Sequence, residues 1–283
     1  SSQHCPSTLR PLLFKHFYHD VDIVSCHPTL LLQVARKMGV AERELAPLAE
    51  YVRDSRLHPK ERLPMLVRIG EFYDVPPAKC KYAVLRVLNG GSLMAWIRDA
   101  GCTRRNMEEQ DDLRQLQRVS QLVRGALFRM PQFQGRIATL TDQVQAAAAT
   151  KAAQAEALHA AAKTLCQRRA AVETLRRARH KATPIAVERS VFSLCLFELE
   201  DMVLGVIDEH FRAAGWTVAS LQFDGLQPEH RDGADLEATM RGAEAAVLAK
   251  LGYEVALTEK ELFEVSDAVA AMRDDDECLH DDE

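Results

Sequence analysis

Long hydrophobic runs and aromatic residues are both scarce in this sequence of 283 residues. No stretch approaches the run of roughly 18 apolar residues that a membrane-spanning helix needs, so we expect no membrane partner. Phe, Trp and Tyr together make up 6% of the chain, which argues against an all-β sandwich or barrel. Residues 1–5 contain neither an apolar signal core nor an initiator Met, and we expect a fragment or a processed chain.

The chain also lacks an excess of basic residues and a regular cysteine pattern. Its 36 Lys and Arg residues stand against 41 Asp and Glu residues, a net charge of -5. The whole molecule is therefore not a basic nucleic-acid coat, and a polyanionic partner would have to bind a local basic patch. The seven cysteines are odd in number, widely spaced and without a C-x-x-C pair. This pattern argues against a disulfide framework or a structural zinc site and favours an intracellular, reducing compartment.

Hydrophobic residues make up 47% of the chain, enough to bury a sizeable core in one large domain or two small ones. The apolar pattern predicts strands near 17–24, 216–223 and 253–257, with a hairpin at Asp224-Gly225, because a D-G pair between apolar runs favours one. Helices are expected at about 28–39, 78–88, 185–214 and 234–252. The predicted fold class is α+β, mostly helical, with a small antiparallel sheet and a long helical insertion.

The insertion is expected from the Ala-rich segment 141–171, which has few bulky apolar residues. Such a composition predicts either one long exposed helix or a helical hairpin. The segment runs into a basic stretch, 168–181, whose charges are those of a solvated helix face or of a surface that holds a nucleic-acid backbone.

Two aspartates are the candidate catalytic residues. Asp22 ends a predicted strand just before a helix, and Asp224 lies at the tip of the predicted hairpin. Such positions expose a carboxylate at the edge of a sheet, where functional groups often lie. Two carboxylates from separate strands could form an all-oxygen site for Mg²⁺, which completes its shell with phosphates and water. Alone, each aspartate is also compatible with an ordinary cap or turn role.

Residues 22–31 (DIVSCHPTLL) resemble motif A of the right-hand nucleic-acid polymerases, which is D-x-x-S-L-Y-P-S-I-I in family B and D-Y-S-Q-I-E-L-R in family A. Residues 81–92 (KYAVLRVLNGGS) resemble motif B, which is K-x7-Y-G in family A. The segment from Glu188 through residues 221–226 (LQFDGL) is similar to the palm helix and the motif C hairpin of family A, V-H-D-E. The chain is thus identified as similar to a divergent family A DNA polymerase, and the small sheet is expected to be palm-like.

The resemblance implies a role for each matching residue. Asp22 and Asp224 are the implied catalytic residues, which bind two Mg²⁺ ions with help from the backbone carbonyl of Ile23. Lys81 is implied to contact the triphosphate of the incoming nucleotide, where a point charge offsets developing negative charge. His27 matches the position of a bulky side chain against the sugar, which bears on the choice between DNA and RNA.

Further residues follow from the same resemblance. Asn89 replaces the family A tyrosine at the nucleotide site, and Glu200 is a weaker candidate for a palm contact. Arg189 is implied to contact a template or primer phosphate. The candidate nucleic-acid-binding residues of the basic stretch are Arg176, Arg177 and Arg179. The implied partners are a DNA template-primer, nucleoside triphosphates, and a thumb or accessory domain outside this chain.

The resemblance divides the chain into a leader at 1–16, a first palm part at 17–40, a fingers-like helical region at 41–182, a second palm part at 183–265 and an acidic tail at 266–283. Pro77 stands where family A has an arginine, and Gly225 stands where motif C has a glutamate. The palm-helix glutamine and asparagine are not evident in 193–197. Two alternatives therefore stay open: an inactive polymerase remnant that binds nucleic acid or a protein, and a non-enzymatic helical scaffold whose helix 139–182 binds a partner.

Overall fold

The computed structural model describes residues 16–57, 63–102, 110–222 and 224–260, which form eleven helices and four strands. In chain order the elements are β1 (Val21–Ile23), α1 (Cys26–Lys37), α2 (Glu42–Leu57), α3 (Pro64–Tyr73), α4 (Pro77–Leu88), α5 (Leu93–Asp99), α6 (Asp111–Phe128), α7 (Pro131–Gln134), α8 (Ile137–Ala161), α9 (Leu165–Lys181), α10 (Pro184–Ala213), β2 (Val218–Gln222), β3 (Gly225–Pro228), α11 (Leu236–Leu251) and β4 (Leu257–Glu259). The predicted leader, except for His16, and the predicted acidic tail lie outside the described residues.

The four strands form one antiparallel sheet in the order β2-β3-β1-β4. The other described elements are helices, so the predicted α+β class, mostly helical with a small antiparallel sheet, is confirmed. Among the described residues no helix is both long enough and apolar enough to cross a membrane.

The chain divides into two compact units, and both boundaries fall inside a helix. The first unit combines the residues up to Thr29 with those from Glu200 onward, and the second unit spans Leu30–Leu199. The boundaries therefore interrupt α1 and α10. The assignment of palm and fingers to segments of the chain stays a prediction.

The core of the first unit is formed by the sheet and two helix faces. On α10, Val203, Ile207 and Phe211 repeat every four residues and are fully buried, as expected for one face of an amphipathic helix. The buried face of α11 consists of Met240, Ala243 and Val247 and completes this core. Burying each large apolar side chain contributes about 1.5–3 kcal/mol before the entropy cost of folding.

The second unit contains a helical core and a helical hairpin. In the core, α4 contacts α6 and the Ser120 hydroxyl donates to the Leu88 carbonyl over 2.8 Å, which ties α6 to the end of α4. In the hairpin, α8 and α9 pack along each other. The residues buried at that contact are spaced by seven, as two helical turns require: Ala148 and Ala155 on α8, and Ala171 and Ala178 on α9. Of the two arrangements left open for the Ala-rich segment, the structure therefore has the hairpin.

Two strands begin four residues later than predicted, and β2, expected at 216–223, begins two residues later at Val218. The first was expected near 17–24, but the strand covers only Val21–Ile23, with an isolated bridge between Tyr18 and Glu229. The His19 N–H donates to the Pro228 carbonyl over 2.9 Å, yet a proline has no N–H to return a bond, so the regular ladder is interrupted there.

The last strand was expected at 253–257, but it covers Leu257–Glu259. Its partner explains the shift, because Ile23 pairs with Leu257 and β1 ends at Ile23, with only the Val24 N–H bonded further along, to the Ala256 carbonyl. The residues before Leu257 therefore have no neighbouring strand on that side, whatever their own β propensity.

Candidate metal centre

Asp22 lies in the middle of β1, a central strand of the sheet. It pairs with Gly225 on β3 and with Thr258 on β4, and only 8% of the residue is exposed. Directly opposed residues of antiparallel strands share one face, so the carboxylate lies among the residues at these two positions. A buried carboxylate needs partners that compensate its lost hydration.

Gly225 provides the space that the Asp22 carboxylate occupies. A Cβ atom at position 225 would collide with Asp22 Oδ1 and would lie 2.6 Å from the Val21 carbonyl oxygen. Gly225 does not have a positive φ, and it is the first residue of β3, not a residue of the turn. The D-G pair predicted the hairpin correctly, but the glycine is required by this close approach.

Asp224 lies in the turn between β2 and β3, next to Asp22. The Ile23 N–H donates to the Asp224 carbonyl over 2.9 Å, and Gly225, the neighbour of Asp224, is the strand partner of Asp22. The fold thus brings Asp22, Ile23 and Asp224 to one place in the first unit. That they bind metal stays a prediction.

Lys260 is a partner of Asp22 that the sequence interpretation missed. Its Nζ forms an ion pair with Asp22 Oδ2. The sequence offers no local signal for this pair, because it depends on the register between β1 and β4. A strand ending at residue 257, as predicted, would not have carried Lys260 to the sheet.

The turn after β1 positions the start of α1. Ser25 adopts a left-handed backbone with φ 45°, and its carbonyl accepts from the Thr29 N–H over 2.9 Å. The Val24 N–H donates to the Ala256 carbonyl over 2.8 Å, which ties this turn to the segment before β4. Cys26 and His27 follow this turn directly as the first two residues of α1.

His27 contacts Glu200. The part of α10 that belongs to the first unit begins at this residue. His27 Nε2 lies 3.1 Å from Glu200 Oε2, and Glu200 is 6% exposed. Burial raises the pKa of the adjacent Cys26 thiol well above its ordinary value, and the negative charges of Glu200 and Asp224 raise it further. Several acidic groups therefore act on this region, and the weaker candidate Glu200 belongs to it.

The predicted nucleotide-binding residues Lys81 and Asn89 lie in the second unit. Lys81 is exposed on α4, and Asn89 caps the C-terminal end of the same helix. Gly90 follows with φ 73°, a left-handed helix stop. The predicted helix 78–88 is thereby confirmed at Pro77–Leu88, with a proline in its first turn.

Arg189 lies beside the turn that ends α4. Its Cγ is 3.3 Å from the position that a Cβ of Gly90 would take, and its Nε is buried without a hydrogen-bond partner among the described residues. The neighbouring Arg124 forms an ion pair with Glu188 over 3.0 Å. A buried guanidinium nitrogen without an acceptor is compatible with the predicted phosphate contact.

The other candidate nucleic-acid contacts are exposed on the hairpin and have local partners. Arg176 and Arg177 both bind Glu173, at 2.8 and 2.7 Å, and Arg179 binds Glu156 across the hairpin at 3.0 Å. Exposed pairs of this kind are weak, so these arginines can exchange a carboxylate for a phosphate at little cost.

The carboxylates of the first unit are of the chemical type that divalent metals with oxygen ligands bind. In the described part of the chain no group of three or more His, Cys, Asp or Glu side chains could hold a metal by itself. Mg²⁺, however, uses one or two protein carboxylates and takes its remaining ligands from phosphates and water. Asp22 and Asp224 are the carboxylates predicted for this role, and Asp22 forms an ion pair with the Lys260 ammonium.

No protein-family model matches the chain, and no curated protein matches it either.

Proposed function

We propose that this chain is a template-directed nucleotidyltransferase, similar to a DNA polymerase, that adds nucleoside triphosphates to the 3′-OH of a DNA primer. The observation that carries the proposal is the convergence of the Asp22 and Asp224 backbones. The two residues come from opposite ends of the described chain and meet through the pairing of β1 with β3, with the Ile23 N–H bonded to the Asp224 carbonyl.

The order of elements around the two aspartates supports the same proposal. The strand similar to motif A lies between the hairpin similar to motif C and the strand β4. In the chain between them, α4 carries Lys81 and Asn89 and ends on a glycine, as the resemblance to motif B implies.

Each residue then has a chemical task. Asp22, Asp224 and the Ile23 carbonyl would hold two Mg²⁺ ions, which when bound lower the pKa of the 3′-OH and neutralise the leaving phosphates. For Lys81, which belongs to the second unit, the resemblance implies a contact with the triphosphate. His27, held by Glu200, would lie against the sugar of the nucleotide.

Gly225, which stands where motif C of family A has a glutamate, is compatible with this chemistry. A glutamate there, as in the family A motif, would have its Cβ where Asp22 Oδ1 lies. The glycine therefore keeps the Asp22 carboxylate in place. At Pro77 the proline begins α4, and the arginine of family A has no counterpart at that position.

Primer extension on a primed DNA template with Mg²⁺ tests the proposal. We expect extension with deoxynucleotides, and we expect Asp22→Asn and Asp224→Asn each to lower the rate on the order of a thousandfold, because each removes an anionic ligand. Asp201→Asn is the matched control, since Asp201 is an exposed carboxylate on α10 beside Glu200. Thermal unfolding of all variants would show whether the fold is kept.

Either aspartate variant extending primers at the rate of the control would refute the assignment. Ribonucleotides in the same assay test the choice of product. Wild-type protein that binds the primed template without extending it would support the inactive remnant instead.

The α8–α9 hairpin favours one second candidate, a partner-binding helical scaffold. Leu158 and Val172 are large apolar side chains exposed on this hairpin. A scaffold of this kind would neither extend primers nor bind primed DNA, and Asp22→Asn would leave its partner binding unchanged.

A further inference from the structure

The position of Lys260 follows from the register of the sheet. Asp22 pairs with Thr258, and side chains two residues apart on a strand share a face, so Lys260 is the diagonal neighbour of Asp22. The Lys260 N–H donates to the Asp20 carbonyl over 2.7 Å, which fixes the lysine backbone against the residue before β1. The backbone pairing therefore delivers the ammonium group to the carboxylate.

The two members of this ion pair differ in burial. The Asp22 side chain is 12% exposed and the Lys260 side chain is 57% exposed. Asp22 Oδ1 faces the α-carbon of Gly225, and Asp22 Oδ2 is bound by Lys260 Nζ. The carboxylate is confined by its neighbours, whereas the flexible lysine side chain can withdraw into solvent.

We propose that Lys260 is an internal competitor of divalent cations at Asp22. Its ammonium group neutralises the buried carboxylate in the absence of metal, and it must leave Oδ2 before that oxygen can become a metal ligand. The inference rests on the proposed function in one respect, the assignment of Asp22 as a metal ligand.

The competition has two consequences of opposite sign. Without Lys260 the buried carboxylate has lost its cation, so the metal-free protein should be less stable. The same loss removes the competing charge, so a divalent cation should bind more tightly. A merely structural lysine would give the first effect without the second.

Binding of Mn²⁺ to the full chain, without nucleotide or DNA, tests the inference by electron paramagnetic resonance of the free ion. We expect Lys260→Met to bind Mn²⁺ roughly tenfold more tightly than the wild type, a gain limited by the exposure of the lysine. Lys260→Arg keeps the charge and should bind as the wild type does. Lys250→Met is the matched control, because Lys250 forms an exposed ion pair with Glu209 in the same unit at 2.8 Å.

Equal affinity of Lys260→Met and the wild type would overturn the competition and leave the metal site standing. Unchanged binding in Asp22→Asn, or no Mn²⁺ binding in any variant, would overturn the metal assignment of the proposed function together with this inference. If circular dichroism shows that Lys260→Met does not fold, Lys260→Gln replaces it with the same expectation.

Discussion

The sheet around Asp22 and the α8–α9 hairpin both depend on residues with little or no side chain, but they use the space differently. In the sheet, Gly225 leaves room that a carboxylate fills. In the hairpin, small residues at Ala148, Ala155, Ala171 and Ala178 leave room that the partner helix fills. The first arrangement brings a functional group close to backbone, and the second brings two helices close to each other.

The ion pairs of the two regions also differ in how far the carboxylate is buried. Asp22 is a buried carboxylate with one lysine, so its partner matters for stability and for ligand binding. Glu173 on α9 is an exposed carboxylate between Arg176 and Arg177, and solvent screens both pairs. A carboxylate–cation pair thus contributes differently to stability in the two regions, because the two carboxylates differ in burial.

The largest effect is expected from Gly225→Ala, which puts a methyl group where Asp22 Oδ1 lies. Incorporation and Mn²⁺ binding should be lost because the carboxylate must move, and the unfolding free energy should fall by about 1–3 kcal/mol. Gly205→Ala is the control, because Gly205 lies in α10 with open space around it, and there alanine should stabilise by about 0.5–1 kcal/mol. Metal titration and denaturant unfolding measure both. Retained Mn²⁺ binding in Gly225→Ala would show that the metal site does not need the glycine.

A smaller effect is expected from Ala155→Leu in the hairpin. Ala155 is buried against α9, so the larger side chain should force the helices apart and destabilise the hairpin by about 1–3 kcal/mol, while Mn²⁺ affinity stays unchanged. Ala153→Leu places the same side chain at an exposed position of α8 and should be nearly neutral. Hydrogen exchange of the α8 and α9 amides is the measurement. Equal exchange in the two variants would mean that the alanine contact does not hold the hairpin together.

The smallest effect is expected from the exposed ion pairs of α9. Hydrogen bonds from Arg176 and then Arg177 lower the pKa of the Glu173 carboxyl from 4.5 to about 2. A lowered pKa in the folded state stabilises above the unfolded pKa, so the contribution is present at pH 5 and lost as the pH falls toward 2. Thermal unfolding of wild type and Glu173→Gln should differ slightly at pH 5 and converge near pH 2. A difference that persists at pH 2 would assign the effect to something other than this charge.

The fold class and the long helices could be predicted because their signals are local. Prolines near the start and glycines after the end mark α4 and α10, and apolar spacing marks their buried faces. The resemblance also selected Asp22 and Asp224, which the sheet brings together.

The partners of the carboxylates could not be predicted in the same way. The contact between Asp22 and Lys260 depends on which residue of β4 faces β1, and one residue of shift would turn the lysine to the other face. The contact between His27 and Glu200 joins two helices that are far apart in the chain. Local patterns carry no information on such long-range registers.

The strand order β2-β3-β1-β4 determines when the sheet can form during synthesis of the chain. A ribosome releases β1 early, yet both neighbours of β1 are translated only after α10, roughly two hundred residues later. Until then Asp22 has no strand on either side, so the nascent chain can fold its helices first but cannot bring Asp22 next to Asp224 or Lys260.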